Sequence, residues 1–271
     1  MPILTLKRQP DVPLEAETLS PDVLAGKSPD EVRALPVFLG KRCLRLDDFF
    51  DIESSADDVL ELHGDLGRVK WIGKAMTRGS IRIYGNAGMH LGAHMKGGSI
   101  EVKGNAADWV GGEMTGGLIH VRGNAGGQVG AAYRGSPWGM NRGTILIEGS
   151  AGIEVGMRMK RGIITVRGPV RDFAGLQMKG GTLFLMGGAE IRTGAWMIRG
   201  TIVCLTPVRL LPTFAYCSSF DPIFLRMYAT HLKKFGFAIP TDPAAGSYER
   251  HLGDSAVPGK GEILFWRPQA S

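Results

Sequence analysis

The chain has 271 residues with a net charge of +6 and three widely spaced cysteines. Its 40 glycines are about twice the usual share, yet no three-residue period argues for collagen, and regularly recurring isoleucine, valine and leucine argue against disorder. Cys43, Cys204 and Cys217 form no C-x-x-C pair or disulfide framework, and neither a run of about 18 apolar residues nor an apolar signal-peptide core is present. The plain expectation is a soluble, cytoplasmic protein.

Residues 1–58 read as a capping segment, a small α/β unit. Ser20-Pro21-Asp22 starts a short turn. Ser28-Pro29-Asp30-Glu31 combines an N-cap serine, proline at the first helical position and a glutamate three residues after the cap, predicting a short helix to about Leu35.

Residues 59–205 are a repeat. Gly85, Gly104 and Gly123 are spaced by 19, as are Gly149, Gly168 and Gly187, with a step of 26 between the two sets. A second row, Gly73, Gly92, Gly111, Gly130, Gly156, Gly175 and Gly194, carries the same seven-residue interruption. Met76, Met95, Met114, Met159, Met178 and Met197 make a third row, with Tyr133 and Met140 flanking the insert. Each repeat opens with a segment alternating at period two, so Ile81, Ile100, Ile119, Ile145, Ile164 and Leu183 should form one interior stack and Val102, Val121, Ile147, Val166 and Leu185 a second. Nineteen residues are too few for a βαβ unit but suit short strands joined by glycine corners. The fold expected is all-β at its core: a single-stranded right-handed β-helix of 19-residue coils about 4.8 Å apart. The outward positions Leu146, Phe184 and Val203 are apolar, so one sheet face of the later coils should be covered, by the chain's own tail or by another subunit.

Residues 206–271 follow as a C-terminal helix and tail. Leu205-Thr206-Pro207 breaks the pattern, and Asp221-Pro222 opens a helix predicted to end near Phe235, before Gly236. Residues 237–260 read as loop, and Glu262 to Trp266 as a strand docking on a neighbour.

Catalytic signatures are sparse. His90 and His94 sit four apart, but the repeat places them on different segments across the Gly92 corner with no third ligand, which favours solvent-facing or interface histidines over a metal site. His63, His120, His231 and His251 are single and unpaired in sequence. The Gly85-Asn86-Ala87-Gly88 loops precede no helix, excluding a phosphate loop. Asn86, Asn105 and Asn124 predict a hydrogen-bonded ladder inside the coils. No G-x-S-x-G occurs, and Cys217 lacks a basic neighbour in sequence. No catalytic residue is expected.

One constellation carries charge. Arg78, Lys96, Arg142, Lys160, Arg161, Lys179 and Arg199 follow the methionine row and would stack as a basic ladder along one edge. It is either a solvated face or a track for an extended polyanion; each exposed pair adds only about 0.2–1 kcal/mol, so such a track would guide a tethered ligand, in a salt-sensitive way.

The coils with G-N-A-G…G…M-x-G-G resemble the glycine-rich C-terminal domain of glutamate synthase large subunits. Pro13 to Glu17, Ser20 to Ser28, and the tail Leu211-Pro212-Thr213-Phe214 with Pro222 to Arg226 are similar to the C subunits of formylmethanofuran dehydrogenases, over about residues 1–236. The resemblance implies one of two complexes. One is the tungsten or molybdenum enzyme of methanogens. The other, which the motif details favour, is the formyltransferase/hydrolase complex of methylotrophic bacteria, which moves a formyl group from formyl-tetrahydromethanopterin to a methanofuran-type carrier and releases formate. It further implies that catalysis lies on partners, an amidohydrolase-like subunit and a formyltransferase subunit, and that this chain alone binds no cofactor or metal. The carrier's acidic tail would be a ligand for the ladder; nucleic acid and membrane are not expected partners. A free-standing carbohydrate-active β-helix would need clustered carboxylates, and Glu101, Glu113, Glu148 and Glu154 share no coil position.

Overall fold

The computed structural model describes residues 1–269. It is mostly β-strand with few helices, organised around a 13-stranded, largely parallel sheet.

The N-terminal segment holds strands β1 (Pro2–Leu6) and β2 (Leu14–Glu15), helices α1 (Pro21–Leu24) and α2 (Pro29–Arg33), and strands β3 (Pro36–Leu39), β4 (Arg42–Arg45) and β5 (Phe50–Ser54). The capping box before α2 forms as the sequence predicts, Ser28 and Glu31 exchanging side-chain and backbone hydrogen bonds. Then come β6 (Val59–His63), β7 (Val69–Lys70), β8 (Ser80–Tyr84), β9 (Ser99–Val102), β10 (Leu118–Val121), β11 (Asn141–Ile147), β12 (Arg161–Val166), β13 (Lys179–Leu185) and β14 (Arg199–Cys204). From β8 onward the long strands of successive rungs pair in parallel at the predicted step. Ile81 lies opposite Ile100, Ile100 opposite Ile119, Ile145 opposite Ile164, and Ile164 opposite Leu183. Both aliphatic stacks are buried to 1% exposure or less. Met140, not Tyr133, fills the methionine row at the insert and is fully buried.

The two ends close differently from the middle. β1 pairs in parallel with β6, and antiparallel β5 covers its other edge. After β14 come β15 (Ala215–Phe220), α3 (Leu225–Lys233), β16 (Gly246–Gly253) and β17 (Lys260–Pro268). β17 continues the stack in parallel on β14, and β16 and β15 follow antiparallel. The final strand thus docks on this chain's own last rung. The expectation of loop over 237–260 is corrected by β16, whose Tyr248 is buried against Trp266; mixed polar and apolar residues hid an antiparallel strand that its β15 and β17 partners stabilise.

The cover over the later rungs is the chain's own tail. Leu225, Leu232, Phe237 and Ile239 pack on Leu146, Phe184, Val203 and Leu264. That cover reaches His120, which is only 5% exposed, bonded to Glu148 at 2.9 Å and flanked by Phe235 and Phe237. His120 is therefore paired, contrary to the sequence expectation, because Glu148 sits on the next rung after the insert. No helix among the described residues is long and apolar enough to cross a membrane.

The asparagine ladder forms, but on the outside of a corner. Asn86 and Asn105 each accept at Oδ1 the backbone N–H of the next rung's asparagine, at 2.9 and 2.8 Å, and Asn124 accepts from Ser150 N at 2.8 Å. These side chains line an outer corner of the stack rather than its interior. Each replaces a ladder hydrogen bond where the strand breaks, a role that needs no burial.

Candidate functional site

At one corner of each rung two residues adopt left-handed backbone without being glycine, except in the rung of Gln128, where the insertion follows and only one does. One column is Trp71, His90, Trp109, Gln128, Glu154, Phe173 and Arg192; the other is Ala75, His94, Glu113, Arg158, Gln177 and Trp196, all with φ between 52° and 67°. Such geometry costs a non-glycine residue about 1–2 kcal/mol. Stacking offsets it, because these N–H groups reach the next rung: His90 N to Asp108 O at 3.0 Å, Trp109 N to Gly127 O at 2.9 Å, His94 N to Gly112 O at 2.8 Å. The flanking left-handed positions, such as Gly92 and Gly98, do use glycine. Bulky side chains are retained on these two columns alone.

The seven-residue insertion, Tyr133 to Gly139, lies across this face in both directions. Toward the N-terminal rungs the Tyr133 ring stacks on Trp109 at 4.6 Å and its hydroxyl meets His90 Nδ1 at 2.9 Å. His90 in turn stacks on Trp71 at 4.1 Å. His94 lies 5.5 Å from the Tyr133 ring and 3.6 Å from Glu113. Gly112 makes room: a Cβ there would come within 3.0 Å of the Tyr133 hydroxyl. Toward the C-terminal rungs Arg158 Nη1 donates to Ser136 O at 2.9 Å and Lys179 Nζ to Pro137 O at 2.9 Å. Lys160 and Lys179 both sit over the Trp138 ring, at 4.3 and 4.2 Å.

This geometry redraws the basic ladder. The amides of Lys96, Lys160 and Lys179 share one hydrogen-bonding row onto Met76, Met140 and Met159, while Arg142 and Arg161 sit one residue further along. The cations form two adjoining rows, since each corner offers two successive outward positions. Arg78 is 3.8 Å from Asp22. Lys160 and Lys179 are held by the insert. Lys96, Arg142, Arg161 and Arg199 are exposed, with no ion pair among the described residues.

The two histidines come together through Tyr133. Among the described residues no three His, Cys, Asp or Glu side chains are grouped as ligands would be. Burial, then the nearby Lys70 charge, push His90 down to about 4, so it is neutral at pH 7. From about pH 6.5 down to about pH 4 the unfolded chain binds a proton that the folded protein refuses, so stability falls with pH through that window. In a His90→Gln variant the decline in Tm over this range should be shallower than in the parent; parallel curves would remove His90 as the cause. The Trp71, His90, Trp109 column is open to sequence reasoning as aromatic residues one period apart. The insertion's path is not, because no period governs it.

A stack of glycine-cornered parallel rungs, with charge and aromatics on its corners, defines a β-rung repeat protein. The chain belongs to the GXGXG motif family, whose model matches residues 67–211. It is 45% identical over 96 residues to the C subunit of the tungsten-containing formylmethanofuran dehydrogenase 2 of Methanothermobacter thermautotrophicus, covering 34% of this chain and 36% of that protein. It is 44% identical over 94 residues to the C subunit of the molybdenum-containing formylmethanofuran dehydrogenase 1 of Methanosarcina barkeri, covering 33% and 31%. The match thus spans about a third of the length of these curated relatives. A chain in the crystal structure of the formyltransferase/hydrolase complex (FhcABCD) from Methylorubrum extorquens with methylofuran superposes with a TM-score of 0.88 and 33% identity, over 97% of this chain and 98% of that one.

Proposed function

We propose that the chain winds as a right-handed β-helix, the hand that parallel crossovers take, and serves as a scaffold subunit of a formyltransferase/hydrolase complex. In that role a formyl group passes from formyl-tetrahydromethanopterin to a methanofuran-type carrier and leaves as formate, in the cytoplasm. The observation that carries the reading is the end-to-end superposition on a chain of such a complex. The chemistry falls to an amidohydrolase-like and a formyltransferase partner, and this chain holds no cofactor of its own. The exposed cations Lys96, Arg142, Arg161 and Arg199 supply a track for the carrier's acidic tail. The other reading, a C subunit of a tungsten or molybdenum formylmethanofuran dehydrogenase, is favoured by the higher local identity to those proteins.

One purification separates the two. The tagged chain should bring down formyltransferase and hydrolase subunits, identified by mass spectrometry, with formyl-transfer activity and without stoichiometric molybdenum or tungsten. Either metal together with iron–sulfur clusters moves the chain to the dehydrogenase. In the same complex, Arg142→Glu with Arg161→Glu should raise the carrier's KM about fivefold at low salt; an unchanged KM reduces the rows to a solvated face.

A further inference from the structure

We propose that the tryptophan-rich corner face is the docking surface for a partner subunit whose contact patch is apolar at its centre and acidic at its rim. The proposal rests on the complex-subunit reading above and adds which face of this chain is engaged.

Four of the five tryptophans, Trp71, Trp109, Trp138 and Trp196, lie on the two left-handed columns or on the insertion that crosses them. Tryptophan, tyrosine and arginine are the residues that dominate protein–protein binding energy, and Tyr133, Arg134 and Arg158 complete that set. Trp196, Ile198 and Trp138 are 48%, 42% and 43% exposed. The backbone at these columns is left-handed in every case, yet most of the side chains are large. Strain retained at bulky, outward residues is a mark of function, since glycine would hold the same turn without it.

The shape argues for a protein rather than a small molecule. Two open hollows lie side by side. One, of about 530 Å³, is lined by Trp109, Tyr133, Arg134 and Arg158; the other, of about 430 Å³, by Arg158, Lys179, Trp196 and Ile198. Arg158 borders both, so the surface is a shallow double trough and not the enclosed pocket a small ligand takes.

Charge sets the partner's chemistry. Among the described residues Arg134, Arg158, Lys160 and Lys179 have no carboxylate within ion-pair distance. Two acids on the same face hydrogen-bond neutral donors rather than these four cations, which outnumber them: Glu113 accepts the Tyr133 N–H at 2.9 Å, and Glu154 accepts from Gln128 at 2.9 Å. Uncompensated cations around an aromatic centre fit acidic groups on the opposing rim.

The test compares complexes purified on a tagged full-length chain carrying Trp196→Glu, with Met227→Glu on α3 as the control, itself at a residue 74% exposed. Trp196→Glu should keep its circular dichroism and Tm, yet lower recovery of the formyltransferase and hydrolase subunits about thirtyfold; Met227→Glu should recover them as the parent does. In the unaltered complex, hydroxyl-radical oxidation of Trp138 and Trp196 should fall relative to the free chain. Full recovery with Trp196→Glu, or unchanged oxidation at both tryptophans, overturns the proposal. So does loss with Met227→Glu alone, or a free chain that dimerises through Trp196, which would make the occupant a second copy. If the unaltered chain recovers neither subunit, the complex reading fails first and takes this assignment with it.

Discussion

Phe184→Ala is expected to destabilise the protein by about 3–5 kcal/mol and to free the C-terminal tail from the stack. Phe184 is fully buried although it points outward from β13, because α3 and the segment after it lie over the sheet. Its ring lies 5.6 Å from Tyr228, whose hydroxyl accepts the Thr182 hydroxyl's hydrogen bond at 3.1 Å. Removing the ring leaves a cavity between the sheet and the layer that covers it. The measurement is urea melting alongside amide exchange. Exchange over Leu225–Lys233 should accelerate far more than exchange in β9 and β10. A loss below about 1 kcal/mol, or equal exchange in both regions, would mean that the tail is held elsewhere.

Gly116→Ala should be nearly as damaging, at about 3 kcal/mol, for a steric reason alone. A Cβ at Gly116 would lie 2.2 Å from Lys96 O, the backbone of the rung before it. A flexible side chain could move aside; a carbonyl held in an inter-rung ladder cannot. Neighbouring bonds, Thr115 N to Met95 O at 2.7 Å and Asn141 N to Met114 O at 2.8 Å, would have to lengthen together. Gly135→Ala is the comparison. Its Cβ would meet nothing within 4 Å, and only its φ of +85° opposes the change, at about 1 kcal/mol. If the two variants melt alike, close rung spacing is not what Gly116 protects.

These two sites mark the range of what the residues alone reveal. Gly116 lies two residues after Met114 of the methionine row, so the rung it faces can be named from numbering alone. Phe184 reads as outward and apolar, which predicts a cover, but the choice between tail and another subunit is made only by Leu225, Leu232 and Phe237 packing on it. β16 escapes sequence reasoning because Tyr248, Glu249, Arg250 and His251 show no clean alternation. Its strand character comes from β15 and β17 on either side. The basic ladder is legible as a list of residues. That Lys160 and Lys179 are taken up by Trp138 is not, since the insertion's route is set by packing.

The amino-acid order by itself determined the rung length, the two aliphatic stacks, the methionine row and the corner glycines. A strict period fixes each residue's neighbour one rung away, and periodicity is a local property written along the chain. Tertiary structure alone decided what covers the outer sheet, how the ends close, and how the insertion gathers Trp109, His90 and Tyr133 at one corner. Those contacts join segments outside the repeat, where no spacing relates one residue to the next and only the shape and burial of the folded surface select the partner.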